Sequence, residues 1–259
     1  MGKVRDDDPA QLTDFKLLSF DVYSTLIDEQ GGMFTALQPL LSKLADPKPY
    51  TKNRARTLKE FQAFERKLQR SNPALLYPEV LAQAYVLFAE SLELPVPGDE
   101  EVEKFSHQIP SWPSFPDTVP ALLSLAKHYK LVILSNIDNT NIARTISGPL
   151  KGAKFDAAYT AQEIGSYKPD LRNFEYLLKR VENELGVGKE GVLHTAQSLS
   201  CDCVPAKTMG MSSVWIDRDG QDEKLESLRE GVNFTWRFET LGEMAEAVEK
   251  AFKEKASAA

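Results

Sequence analysis

Leu17-Leu18-Ser19-Phe20-Asp21-Val22-Tyr23-Ser24-Thr25-Leu26 is a short apolar run that stops at an aspartate and continues into a small polar turn. A run of this kind reads as a buried parallel strand. It would hand a carboxylate to the carboxyl edge of the sheet, where open α/β folds bind their ligands. Read locally, Asp21 equally suits the N-cap of a following helix. Both readings stand at this point.

Three later segments also end in polar groups. Leu131-Val132-Ile133-Leu134 runs into Ser135-Asn136, Gly165-Ser166-Tyr167 leads into Lys168-Pro169, and Gly191-Val192-Leu193-His194 leads towards a loop holding Asp202. Asp-x-x-x-Thr, Ser-Asn after a strand, Lys-Pro and an acidic loop, in that order and at those intervals, resemble the haloacid dehalogenase (HAD) superfamily. Tyr23 stands two residues beyond Asp21, where the phosphatase branch carries a second aspartate, so the chain looks like the type II 2-haloacid dehalogenase branch. The resemblance runs from about Phe15 to about Arg218, strong at the four motifs and weak between the first two.

From Thr118 onward the pattern alternates. Helical stretches at Val119 to His128, Asn141 to Ile146, Phe174 to Leu185 and Val204 to Met209 are interleaved with strands at Leu131 to Leu134, Ala157 to Thr160, Gly191 to Ala196 and Ser213 to Ile216. This order predicts a parallel sheet with helices on both faces, a Rossmann-like α/β core, closed by an amphipathic helix from Leu241 to Lys255. Between the first two motifs, Gly31-Gly32 opens a section without strand-like runs. Leu58, Phe61, Phe64, Glu65 and Leu68, then Leu81, Ala84, Tyr85, Phe88 and Leu92, recur there at helical spacing. The proline-rich Ile109 to Asp117 reads as a connector back to the core. The expected division is a core of residues 1–30 and 113–259 with a helical insert at 31–112, which the resemblance implies is a cap over the nucleophile.

The chain of 259 residues is 42% hydrophobic, enough for a sizeable core, and its formal net charge of −7 offers no basic field for nucleic acid or an anionic membrane. Its two cysteines, Cys201 and Cys203, cannot staple a domain and fall short of a zinc site. Met1 to Asp8 has no apolar centre for a signal peptide, and no run reaches membrane-spanning length. A reduced, cytoplasmic protein acting on a small molecule, with homodimerisation open, is the expectation.

What the resemblance implies for the chemistry is specific. Asp21 is the nucleophile of a covalent ester mechanism, Lys168 neutralises its charge, and Asp202 pairs with Lys168 and positions water. Ser135 and Asn136 bind substrate; Thr25 either bonds the Asp21 carboxylate or caps a helix. Tyr23, Phe174, Gln197 and Ser198 are expected around the substrate. A tyrosine, with an ordinary pKa of about 10, cannot replace the acid that a phosphatase uses to protonate an alkoxide, whereas halide leaves without a proton. No cofactor is therefore expected.

The chain also departs from the family pattern. Ser198 stands where phosphatases have an acid; Gln197 and Leu199 replace a serine and an asparagine of the dehalogenases; Phe174 replaces a tyrosine. The cap arginine that engages a halocarboxylate has no counterpart, an ungapped match placing Leu58 there with Arg54, Arg56 and Arg66 nearby. Two rival readings follow. One is a magnesium-dependent HAD phosphatase with Asp21 and Asp202 as ligands, and the other a catalytically silent binding module of the same fold. His194 reads as a buried, hydrogen-bonded histidine.

Overall fold

The computed structural model describes residues 10–218 and 234–258. The Met1 to Asp8 stretch lies outside them. Six strands form one parallel sheet: β1 (Leu17–Phe20), β2 (Lys130–Ser135), β3 (Ala157–Thr160), β4 (Val192–Ala196), β5 (Ser212–Ile216) and β6 (Trp236–Phe238), in the order β3-β2-β1-β4-β5-β6. The strand order reverses at β1, flanked by β2 and β4, so the crevice beyond its carboxyl end is where such a sheet binds ligands. Asp21 follows β1 directly.

Alternation along the strands splits the core into two layers. Leu18 and Phe20 of β1, Leu131 and Ile133 of β2 and Leu193 of β4 join one cluster with Ala121, Leu122 and Leu125 of α6 (Thr118–Leu125) and Leu241, Met244 and Val248 of the C-terminal helix α11 (Leu241–Ala258). Leu17, Val132, Leu134 and Val192 face the other way, onto Phe174, Leu177 and Val181 of α9 (Leu171–Leu185) and Ala206 of α10 (Val204–Thr208). The remaining short core helices are α7 (Asn139–Ser147) and α8 (Ala161–Ile164). The edge strand β6 has no counterpart in the sequence reading, since three residues with only one strong apolar alternation carry little signal.

Between β1 and β2 the chain is helical: α1 (Glu29–Leu41), α2 (Lys48–Thr51), α3 (Arg54–Ser71), α4 (Tyr77–Ser91) and α5 (Asp99–Ser106). Aromatic edges and faces hold these helices together, Phe61 against Phe88 with centroids 5.6 Å apart and Tyr85 stacked on Phe105 at 4.2 Å. Gly31-Gly32, which opens the helical section, lies in the first turn of α1. The Asp28 carboxylate accepts from the Gly31 N–H at 2.8 Å, and a side chain at Gly32 would sit 2.3 Å from the Trp112 ring. Close approach of helix and connector, not flexibility, is what requires glycine there.

Candidate active site

The turn after β1 is wound tightly around one carbonyl. Val22 O accepts from the N–H groups of Thr25, Leu26 and Ile27, and Ser24 sits in the left-handed region at φ 68°. This winding turns the Thr25 hydroxyl back onto the strand, where it donates to Asp21 Oδ2 at 2.7 Å and accepts from the Gln197 N–H at 2.9 Å. Thr25 therefore holds the carboxylate and caps no helix. Arg218 clamps the same turn from behind, donating to Thr25 O at 3.0 Å and to Asp117 Oδ1 at 2.7 Å.

Lys168 reaches the centre from the loop after α8. Its ammonium donates to Asp21 Oδ1 at 2.9 Å, to Asp202 Oδ1 at 2.6 Å and to Leu134 O at 2.9 Å, with all three residues almost fully buried. Asn136 holds the backbone of that lysine at both ends, its Oδ1 accepting from Lys168 N at 2.7 Å and its Nδ2 donating to Lys168 O at 3.0 Å. Asn136 thus holds the lysine backbone through its carbonyl oxygen and one of its two N–H groups. Ser135, buried at the end of β2, has a hydroxyl without a protein partner, the arrangement a ligand contact needs.

Asp202 lies in a five-residue π turn, Leu199–Cys203, opened by the Ser198 hydroxyl accepting from the Cys201 N–H at 3.1 Å. Ser198 thus caps the turn that carries Asp202. Burial alone would raise both aspartates. For Asp21 it wins, and the carboxyl is held above its usual range despite Lys168; for Asp202 the closer ammonium and the His194 bond overcome burial and lower it. Burial would lower Lys168, but the two carboxylates override it and keep the ammonium charged.

Tyr23 donates to or accepts from Thr145 Oγ1 at 2.9 Å and meets Trp112 edge to face, centroids 6.0 Å apart; burial pushes its phenol well above 10. Phe174, expected at the substrate, has no exposed surface. It sits on the core-facing side of α9 and packs edgewise on His194, so it supports the site from below and does not line it. Of the arginines near the missing clamp, Arg54 pairs with Asp28 at 3.5 Å and Arg56 with Glu60 at 2.8 Å, while Arg66 lines an open groove on α3 with Lys67 and Arg70.

Sequence reasoning passed over an acidic junction between α3 and α1. Tyr77 OH donates to Glu65 Oε1 at 2.8 Å and lies 3.4 Å from Glu29 Oε1, and Ser24 Oγ donates to Glu29 Oε2 at 2.7 Å. Burial, then the charges of Asp21 and Asp28, raise Glu29 to about 7, and burial and then Glu29 raise Glu65 to about 8. The signal was present, since Glu65 is the one acid on the apolar stripe of its helix. Tyr167, the residue before Lys168, donates to Leu75 O at 2.7 Å and ties the lysine loop to the same helical layer.

A family model described as haloacid dehalogenase-like hydrolase matches residues 15–194, a span that includes Asp21, Ser135, Asn136 and Lys168. The chain belongs to the haloacid dehalogenase-like hydrolases. Among solved structures, the L-2-haloacid dehalogenase from Xanthobacter autotrophicus superposes on this hydrolase with a TM-score of 0.72 at 19% identity, covering 91% of this chain and 98% of that one. The same enzyme with chloropropionic acid covalently bound gives 0.71 at 18%, with the same coverage. The HAD-hydrolase YfnB from Bacillus subtilis bound to magnesium gives 0.72 at 16%, covering 91% and 99%. At these identities the likeness is one of fold. No curated protein matches the chain in sequence.

An ammonium stands between the two carboxylates that would be ligands, and no group of three His, Cys, Asp or Glu side chains among the described residues could hold a metal. No helix among the described residues is long and apolar enough to cross a membrane.

Proposed function

We propose that this hydrolase works without a metal, through an ester on Asp21, on a carbon bearing a leaving group such as halide. One observation carries the reading: Asp21 is held on both oxygens, by Lys168 and by Thr25, while the residue two beyond it is a phenol engaged with Thr145 and not an acid. A fixed carboxylate suits in-line attack, and a group leaving with its electron pair as a stable anion asks for no proton. In the first step an Asp21 oxygen forms a bond to carbon as the carbon–halogen bond breaks. In the second, water adds to the Asp21 carboxyl carbon and the acyl C–O bond breaks; one water proton goes to the departing alkoxide, which leaves as the alcohol, the other passes to solvent, and the Asp21 carboxylate keeps the water oxygen. Lys168 stabilises the charge on the carboxyl oxygens in both steps.

The buried, unpartnered hydroxyl of Ser135 supports a substrate contact there. Support for a substrate less anionic than a small haloacid comes from the cap side, where Glu65 and Tyr77 are directed to Glu29 and the nearby arginines are paired elsewhere or face outward. A single turnover in heavy-oxygen water tests the mechanism: the label should enter Asp21, and the first product should carry unlabelled oxygen. Label in the first product alone would overturn the ester route. Activity should also survive chelator; its loss, reversed by magnesium, would favour the phosphatase reading.

A further inference from the structure

His194 takes no part in the chemistry above, yet it is completely buried and bonded at both ring nitrogens. It occupies the middle of β4, opposite Ser19 in register, and its Nδ1 lies 2.8 Å from Ser19 Oγ while its Nε2 lies 2.9 Å from Asp202 Oδ1. Phe174 closes the ring face at 5.3 Å, so the imidazole has no freedom to turn. A carboxylate only accepts, so Nε2 carries the hydrogen, and in the neutral ring Nδ1 then accepts from the Ser19 hydroxyl. Asp202 Oδ1 thereby receives two donors, Lys168 at 2.6 Å and His194 at 2.9 Å. Among the described residues both hydrogen bonds to the Asp202 carboxylate fall on that oxygen, and none falls on Oδ2.

From this geometry we propose that His194 is a positioning residue for the second half of the reaction, locking Asp202 so that Oδ2 orients the water that opens the Asp21 ester. The inference rests on the ester reading above. If Lys168 alone held Asp202, the carboxylate could rotate about that single point; two donors from different elements, the α8–α9 loop and β4, fix its plane. Ser19 holds the opposite ring nitrogen, and it stands two residues before the nucleophile on the same strand face. Attack on substrate by Asp21 uses none of these atoms. Removing His194 should therefore split the two steps, which general loosening of the core would not.

The test compares wild type with His194→Leu, His194→Gln and Ser19→Ala, using chloroacetate as probe and mass mapping of the Asp21 peptide by rapid quench. With His194→Leu the adduct should form at a rate within a fewfold of wild type and be released about ten- to a hundredfold more slowly, so that it accumulates. Glutamine keeps an N–H near the Nε2 position and should restore release to within a fewfold. Ser19→Ala, which leaves the ring in place, should slow release in the same direction by less, and it keeps the test open if the leucine variant fails to fold. Equal losses in both steps, or release as fast as wild type in both His194→Leu and Ser19→Ala, would overturn the role of His194. Wild type that turns chloroacetate over without ever carrying an adduct on Asp21 would instead overturn the ester reading and this inference with it.

Discussion

Replacing Glu65 by glutamine should flatten the pH dependence of stability between about pH 5 and 8, because the native fold holds a proton there that the unfolded chain releases. Glu65 is buried beside Tyr77 and Glu29, and burial followed by the Glu29 charge lifts its carboxyl from 4.5 to about 8. A carboxyl raised on folding contributes full stability below its unfolded value, and that contribution drains away as pH rises to the folded value. Each unit of pH in that window removes about 1.4 kcal/mol per group, so from pH 5 to 7 Glu65 accounts for roughly 3 kcal/mol. In a chain of this size 1 kcal/mol moves the melting temperature by about 2–4 °C, which makes the difference roughly 6–11 °C over two pH units. Glutamine stays neutral throughout and can still accept from the Tyr77 hydroxyl. Melting curves of both proteins from pH 5 to 8 measure it. Wild type should fall more steeply than Glu65→Gln; parallel curves would mean that Glu65 is ionised in the native state and that the acidic junction is not one.

Lys168→Met should abolish turnover and cost about 3–5 kcal/mol of stability near neutral pH, because two buried carboxylates lose their counter-charge; denaturant unfolding reads the second effect. Thr25→Val removes the donor to Asp21 Oδ2 and the acceptor of the Gln197 N–H together, so a loss of about 1–3 kcal/mol and a lower rate are expected, with Thr25→Ser restoring most of both. Since burial holds the Asp21 carboxyl above its usual range, the acid limb of kcat/KM should lie above pH 3.8, and a limb below that value would contradict the assignment. Chloroacetate and 2-chloropropionate should saturate weakly, because Arg54 and Arg56 are paired with acids and Arg66 lines an outer groove, leaving none of the three set for a carboxylate; tight turnover of 2-chloropropionate, lost on substituting Arg54, Arg56 or Arg66, would identify a clamp.

The sequence by itself determined the parallel α/β core and its helical insert. Buried strands are continuous apolar runs and amphipathic helices recur at 3.6 residues, and both patterns are local. Asp21 at the end of β1 and Ser135 at the end of β2 were readable because strand ends are local features and the sheet edge collects them, whereas Lys168, in the loop after α8, stood out only through the family resemblance of its Lys-Pro motif. Partnership was not readable. Whether Thr25 caps a helix or holds Asp21 depends on a turn wound around Val22 O, and whether Asn136 meets substrate or the Lys168 backbone depends on a loop 32 residues away. Phe174 passes for a pocket wall until α9 is rotated onto the sheet, and His194 acquires its two partners only where β4 lies beside β1. The acidic junction of Glu29, Glu65 and Tyr77 joins residues up to 48 positions apart, and the proton it holds follows from burial, a property that no residue has until the chain has folded.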